Sequence, residues 1–95
     1  MVVVNKRSHK PTSHDVYIGR PSVFGNPVRL NKEHERSRVV ALFEDWIRND
    51  PSFMAQRARD AIRELPEDAV LVCWCAPKQC HGDVIIKLWK EYHNA

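Results

Sequence analysis

Glycine is scarce in this chain, three in 95 residues, and prolines number only six. So few breakers, beside 43% hydrophobic residues, exclude a low-complexity or disordered chain and predict one that closes over its own core. Long apolar runs are absent, which excludes a bilayer-spanning helix. The opening "MVVVNKRSHK" lacks the order of basic, apolar and cleavage regions of a secretory signal, so cytoplasmic residence is the expectation. A dispersed, even set of cysteines is missing too, since the three present all fall between Cys73 and Cys80. That excludes a disulfide framework and predicts free thiols in a reducing compartment. With no linker and no internal repeat, residues 1–95 read as one domain.

Net charge is only +3, yet it is unevenly spread. Residues 1–38 carry eight lysines and arginines against three acids, whereas residues 39–72 carry four against seven. The front third is therefore the part that attracts an anion. An overall excess this small predicts no more than weak, salt-sensitive nucleic-acid affinity.

Hydrophobic spacing divides the chain into elements. "VVV" near the start and "DVYIG" at residues 15–19 are β-branched and short, hence strands. Too few residues separate them for a helical crossover, so they either pair antiparallel or have another strand between them. Val39, Val40, Phe43, Trp46 and Ile47 recur at helical spacing within Lys32 to Asn49, with Asn31 as a cap. A second helix is expected after Asp50 as cap and Pro51 as first residue, with Met54, Ala58, Ala61, Ile62 and Leu65 as its core stripe. "AVLVCWC" is apolar on both alternating faces, as in a strand covered on both sides, and a last helix carries Val84, Ile85, Leu88, Trp89 and Tyr92. The order β-β-α-α-β-α predicts a small Rossmann-like α/β sheet with helices packed on it. Trp46 and Trp89 could serve a dimer surface as easily as the core, and His9 and His14 read as solvated.

Two loops carry the candidate chemistry. "CAPKQCHGD" leads from the core strand into the last helix, where free N–H groups and the helix dipole favour anions. Cys80 at that helix start is expected to have a lowered thiol pKa and is the candidate nucleophile, with His81 as acid or base and Asp83 as cap or orienting group. Cys73 and Cys75 alternate by two and could be plain core residues. Alternatively Cys73, Cys75, Cys80 and His81 could hold zinc, although C-x-C-x4-C-H is not a usual ligand spacing. The chain lacks the C-x5-R of cysteine phosphatases, which excludes that chemistry. "GRPSVFGNP" offers Gly19 for close backbone approach, Arg20 to fork onto an anion, Ser22 and Asn26 as hydrogen-bonding groups, and Gly25 as a second flexible point. If the second strand runs parallel beside the core strand, both loops leave the same sheet edge and share a pocket, with Gly82 at the helix start.

The pair "VYIGRPSVFGNP" and "LVCWCAPKQCHGDVI" resembles the signatures of the family catalogued as domain of unknown function 4326. The resemblance spans nearly the whole chain and marks Gly19, Arg20, Pro21, Gly25, Asn26, Pro27, Cys73, Trp74, Cys75, Pro77, Cys80, His81 and Gly82 as motif residues. It implies small proteins common in phage and prophage, and no settled activity. The second segment is also similar to "LLCAE...P..CHR" of another uncharacterised α/β family, with Gly82 here in place of its arginine.

The expected function is binding of an anionic small molecule, a nucleotide or a derivative of one, between the two loops, with Cys80 and His81 available for transfer or hydrolysis. Two alternatives from other classes are a non-catalytic phage protein that modulates a host protein, and a zinc-stabilised nucleic-acid binder. Apart from zinc in that last reading, no cofactor is expected.

Overall fold

The computed structural model describes residues 1–29 and 32–94. Its elements are β1 (Val2–Asn5), β2 (Asp15–Tyr17), a 3₁₀ turn (Glu33–Glu35), α1 (Arg36–Asn49), α2 (Phe53–Glu64), β3 (Val70–Cys73) and α3 (His81–His93). The expected order holds, while the proposed cap Asn31 lies outside the described residues.

β3 is the central strand, and both neighbours run parallel to it, in the order β1-β3-β2. This settles the alternative left open by the short β1–β2 connection, because a third strand does lie between them. In register, Val3, Leu71 and Val16 form one row that faces the core, whereas the adjacent row of Val2, Val70 and Asp15 is exposed or half-buried. The two-sided burial expected of β3 holds at Leu71 and Val72, which alternate to opposite faces, although only the Leu71 face joins the main core cluster and Val72 is covered as the middle residue of its row. β3 also ends at Cys73, so Trp74 and Cys75 belong to the loop.

α1 buries Val39, Val40, Phe43 and Ile47, as its spacing requires. α2 departs from expectation at its start. Ser52, not Asp50, is the cap, its Oγ accepting the Ala55 N–H at 3.2 Å, and Pro51 precedes the helix. Asp50 instead accepts the Ser52 N–H. The shift turns Met54 outward and puts Ala55 in the core with Ala58 and Ile62. α3 buries Val84, Ile85 and Leu88 and packs on β1.

Of the two places open to Trp46 and Trp89, dimer surface or core, the structure packs both against the core. The Trp89 indole donates to Leu65 O at 2.7 Å. His9 is not freely solvated either, since it meets Asp15 at 3.0 Å with its side chain only 17% exposed. Among the described residues no helix is long and apolar enough to cross a membrane.

Candidate functional site

Parallel pairing of β2 and β3 sends the loops after both strands out of one sheet edge, and a cavity of about 340 Å³ lies between them. Gly19, Arg20 and Asn26 line it from the first loop, Cys73, Cys75, Gln79, Cys80 and His81 from the second. Tyr17, Trp74 and, from α1, Arg36, Val39 and Val40 complete the wall. The volume lies within the range of small-molecule sites.

Each loop is held by its own side chains. Arg20 donates from NH1 to Asn26 O at 2.9 Å, and Asn26 Oδ1 accepts the Val28 N–H. Gly19 lets the Tyr17 ring lie against the backbone, because an added Cβ would overlap the phenol. On the other side Asn5 Nδ2 donates to Trp74 O and Ala76 O, so the end of β1 fixes the turn that carries Cys75. Trp74 is half-exposed and donates from its indole N–H to the Tyr17 hydroxyl at 3.0 Å. Lys6 lies over both rings and Arg7 over Trp74, which gives the cavity rim an aromatic wall flanked by cations.

Arg36 was not among the residues picked from sequence. It forks onto Glu33 at 2.9 and 2.8 Å, donates to Gln79 O at 3.0 Å, and has the Cys75 thiol beside it. These partners raise its pKa, while the Arg36 guanidinium holds the Glu33 carboxyl down at about 2. Arg36, Val39, Val40 and Phe43 stand at i, i+3, i+4 and i+7, so a cation on the otherwise apolar stripe was the available signal.

The cysteines divide into two kinds. Cys73 and Cys80 are buried with their sulfurs 3.6 Å apart, whereas Cys75 is partly exposed. The Cys73 thiol is pulled down, first by the hydrogen bond it shares with Cys80 and then by backbone donors of the loop, including Cys75 N–H at 3.4 Å. Cys80 moves the opposite way. Its proton is held by the bond to Cys73 and by burial, and these outweigh the Gly82 N–H that its sulfur accepts at 3.3 Å. The expected lowering at Cys80 is therefore corrected: a helix start favours a thiolate, but a neighbouring sulfur at contact distance takes the charge instead.

Cys80 is the N-cap of α3, and Asp83 completes the reciprocal pair by accepting the Cys80 N–H at 3.3 Å. His81 points its Nε2 at Ile18 O, 2.8 Å away. A carbonyl only accepts, so this nitrogen carries a proton, and burial lowers the ring's pKa despite that bond. Its ring also packs edge-on against Phe43, with centroids 5.1 Å apart. Gly82 serves packing rather than ligand approach: an added Cβ would meet Val3 at 2.9 Å and Ile18 at 3.0 Å. Ser22 and Gly25 do not line the cavity; the Ser22 hydroxyl is buried without a partner among the described residues, and Gly25 packs against Arg20. The four suggested zinc ligands do not converge, and no group of three or more candidate ligands among the described residues is arranged around a metal position.

A match to the family described as Domain of unknown function (DUF4326) covers residues 3–91. No curated protein and no solved structure matches.

Proposed function

Since the chain belongs to the DUF4326 family, whose description assigns no activity, we propose from the geometry that it binds an anionic small ligand, a nucleotide or nucleotide derivative, between its two loops. The observation that carries this reading is the cavity of about 340 Å³ in which Arg20 and Arg36 share the wall with the Tyr17–Trp74 pair. Arg20 spends one donor on its own loop and, among the described residues, leaves others for a phosphate, and Lys6 and Arg7 add positive charge at the rim. Trp74, half-exposed beside those cations, is a stacking surface for a base. The location supports the reading as well, since ligands of open parallel sheets gather beyond the carboxyl ends of strands.

Calorimetric titration with nucleosides and their mono-, di- and triphosphates tests it. Phosphorylated ligands are expected to bind about tenfold or more tightly than the uncharged nucleosides, a difference of roughly 1.4 kcal/mol. Equal affinities, or no heat with any of them at millimolar concentration, would contradict the reading.

Transfer or hydrolysis through Cys80 and His81 has weaker support than binding, because the Cys80 proton is held and the His81 Nε2 is committed to Ile18. The protein-binding alternative draws on a separate observation: Phe53 and Met54 stand 77% and 68% exposed at the start of α2.

A further inference from the structure

Ligand binding leaves the pair of buried cysteines on the cavity wall without a role. Their sulfurs are 3.6 Å apart, so about 1.5 Å of approach separates them from the length of a disulfide bond. Both line the cavity whose wall also holds Arg20 and, paired with Glu33, Arg36. We propose that Cys73 and Cys80 form a redox-active dithiol that exchanges with a small anionic disulfide, with Cys73 as the attacking sulfur and Cys80 as the resolving one. The inference rests on the reading of the cavity as an anion site but needs no nucleotide.

The exchange balances in two steps. The Cys73 thiolate attacks one sulfur of the substrate, the substrate's S–S bond breaks, a mixed disulfide forms on Cys73, and the first thiolate leaves and takes a proton from water. Cys80 then gives its proton to solvent and attacks the Cys73 sulfur, the Cys73–Cys80 bond forms, and the second thiolate leaves and is protonated. The protein dithiol is oxidised by two electrons and the substrate disulfide is reduced to two thiols.

The surroundings suit this division of labour. The two sulfurs share one hydrogen bond, and Cys73 also accepts the Cys75 N–H, so a thiolate at Cys73 has the Cys80 thiol and a backbone donor to stabilise it. Cys80 holds its proton chiefly through its bond to Cys73. Once Cys73 carries a mixed disulfide, the anion that held that proton is gone, while the Gly82 N–H and the start of α3 remain to favour a Cys80 thiolate. The second thiol becomes a nucleophile only after the first has reacted. Cys75, the more exposed cysteine, sits beside Arg36 and lies outside the pair.

The reduced full chain, incubated with glutathione disulfide, quenched with acid, alkylated and mapped by mass spectrometry, tests the proposal. Wild-type protein should end with a Cys73–Cys80 disulfide, an alkylated Cys75 and no retained glutathione. Cys80→Ser keeps a good N-cap residue and should fold, as its amide spectrum will report; it should accumulate glutathione on Cys73. Neutral 2-hydroxyethyl disulfide should react about tenfold more slowly than the anionic reagent at low salt. Glutathione found only on Cys75 with Cys73 and Cys80 still alkylatable, or a folded Cys80→Ser that traps nothing on Cys73, overturns the dithiol. Equal rates with both reagents overturn the anionic substrate class. If nucleoside phosphates bind while the dithiol stays reduced, this inference fails and the binding reading stands. If the dithiol oxidises as described while no nucleoside phosphate binds, the dithiol stands and the nucleotide reading fails.

Discussion

Phe43→Ala is expected to lower the unfolding free energy by about 3–5 kcal/mol, a large share of the roughly 5–15 kcal/mol that a small domain possesses. Phe43 is 1% exposed at the centre of the cluster joining α1 to β3 and α3, with Trp46 at 6.0 Å and the His81 ring at 5.1 Å between centroids. Truncation leaves a cavity that those neighbours fill only partly, so the loss adds a void to the transfer term. Urea denaturation followed by tryptophan fluorescence measures it, and the midpoint should fall with little change in slope. Phe43→Leu, which keeps most of the volume, should cost much less and remain folded if the alanine variant does not. A loss below about 1 kcal/mol for Phe43→Ala would show that this cluster is not the centre of the core. The substitution also frees one edge of His81, so the link from α1 to the cavity is felt in both stability and site.

Trp74→Ala should weaken ligand binding more than it weakens the fold. Stacking of a base on an aromatic ring is worth about 1–3 kcal/mol, so affinity for a nucleotide should fall between roughly fivefold and 150-fold. Trp74 is 51% exposed, and its removal takes away one hydrogen bond to Tyr17, so folding stability should change far less than affinity does. Trp74→Phe restores a stacking face without the indole N–H and should recover most of the binding. Calorimetry on the three proteins separates these outcomes. Unchanged affinity in Trp74→Ala would remove Trp74 from the ligand surface and leave Arg20 as the main contact.

Much of this fold could be read from the chain because its elements obey simple periods. The stripe Val39, Val40, Phe43, Ile47 and the stripe Val84, Ile85, Leu88 are buried as their spacing demands. The convergence of the two loops was legible as well, given parallel strands, since neither loop has another edge from which to leave. What escaped was set by tertiary contacts. β3 stops at Cys73, where Asn5 takes over the carbonyls of Trp74 and Ala76, so an apolar run that looked like continuous strand delivers Trp74 to the rim. Ser52 is the cap in place of Asp50, two residues on, and Ala55 rather than Met54 begins the buried stripe of Ala58 and Ile62.

The candidate site shows the same division. Arg20, Asn26, Cys80 and His81 line the cavity together, but the electrostatics of Cys80 could not be read from its place at a helix start. The sulfur of Cys73 at 3.6 Å couples the two thiols, and nothing in the spacing of seven residues reports that distance. Arg36 was visible only as a cation on an apolar stripe, a signal that acquires meaning once the last loop is known to pass over α1.

The proposed function stands or falls on whether the two loops form one ligand site. Amide NMR titration of the reduced, isotope-labelled chain with nucleoside phosphates answers this without an assumed chemistry. Resonances of Gly19 to Asn26 and of Trp74 to His81 are expected to shift together, along one binding curve, with the same compound. Shifts confined to one loop, or to the exposed surface around Phe53 and Met54, would contradict a shared site.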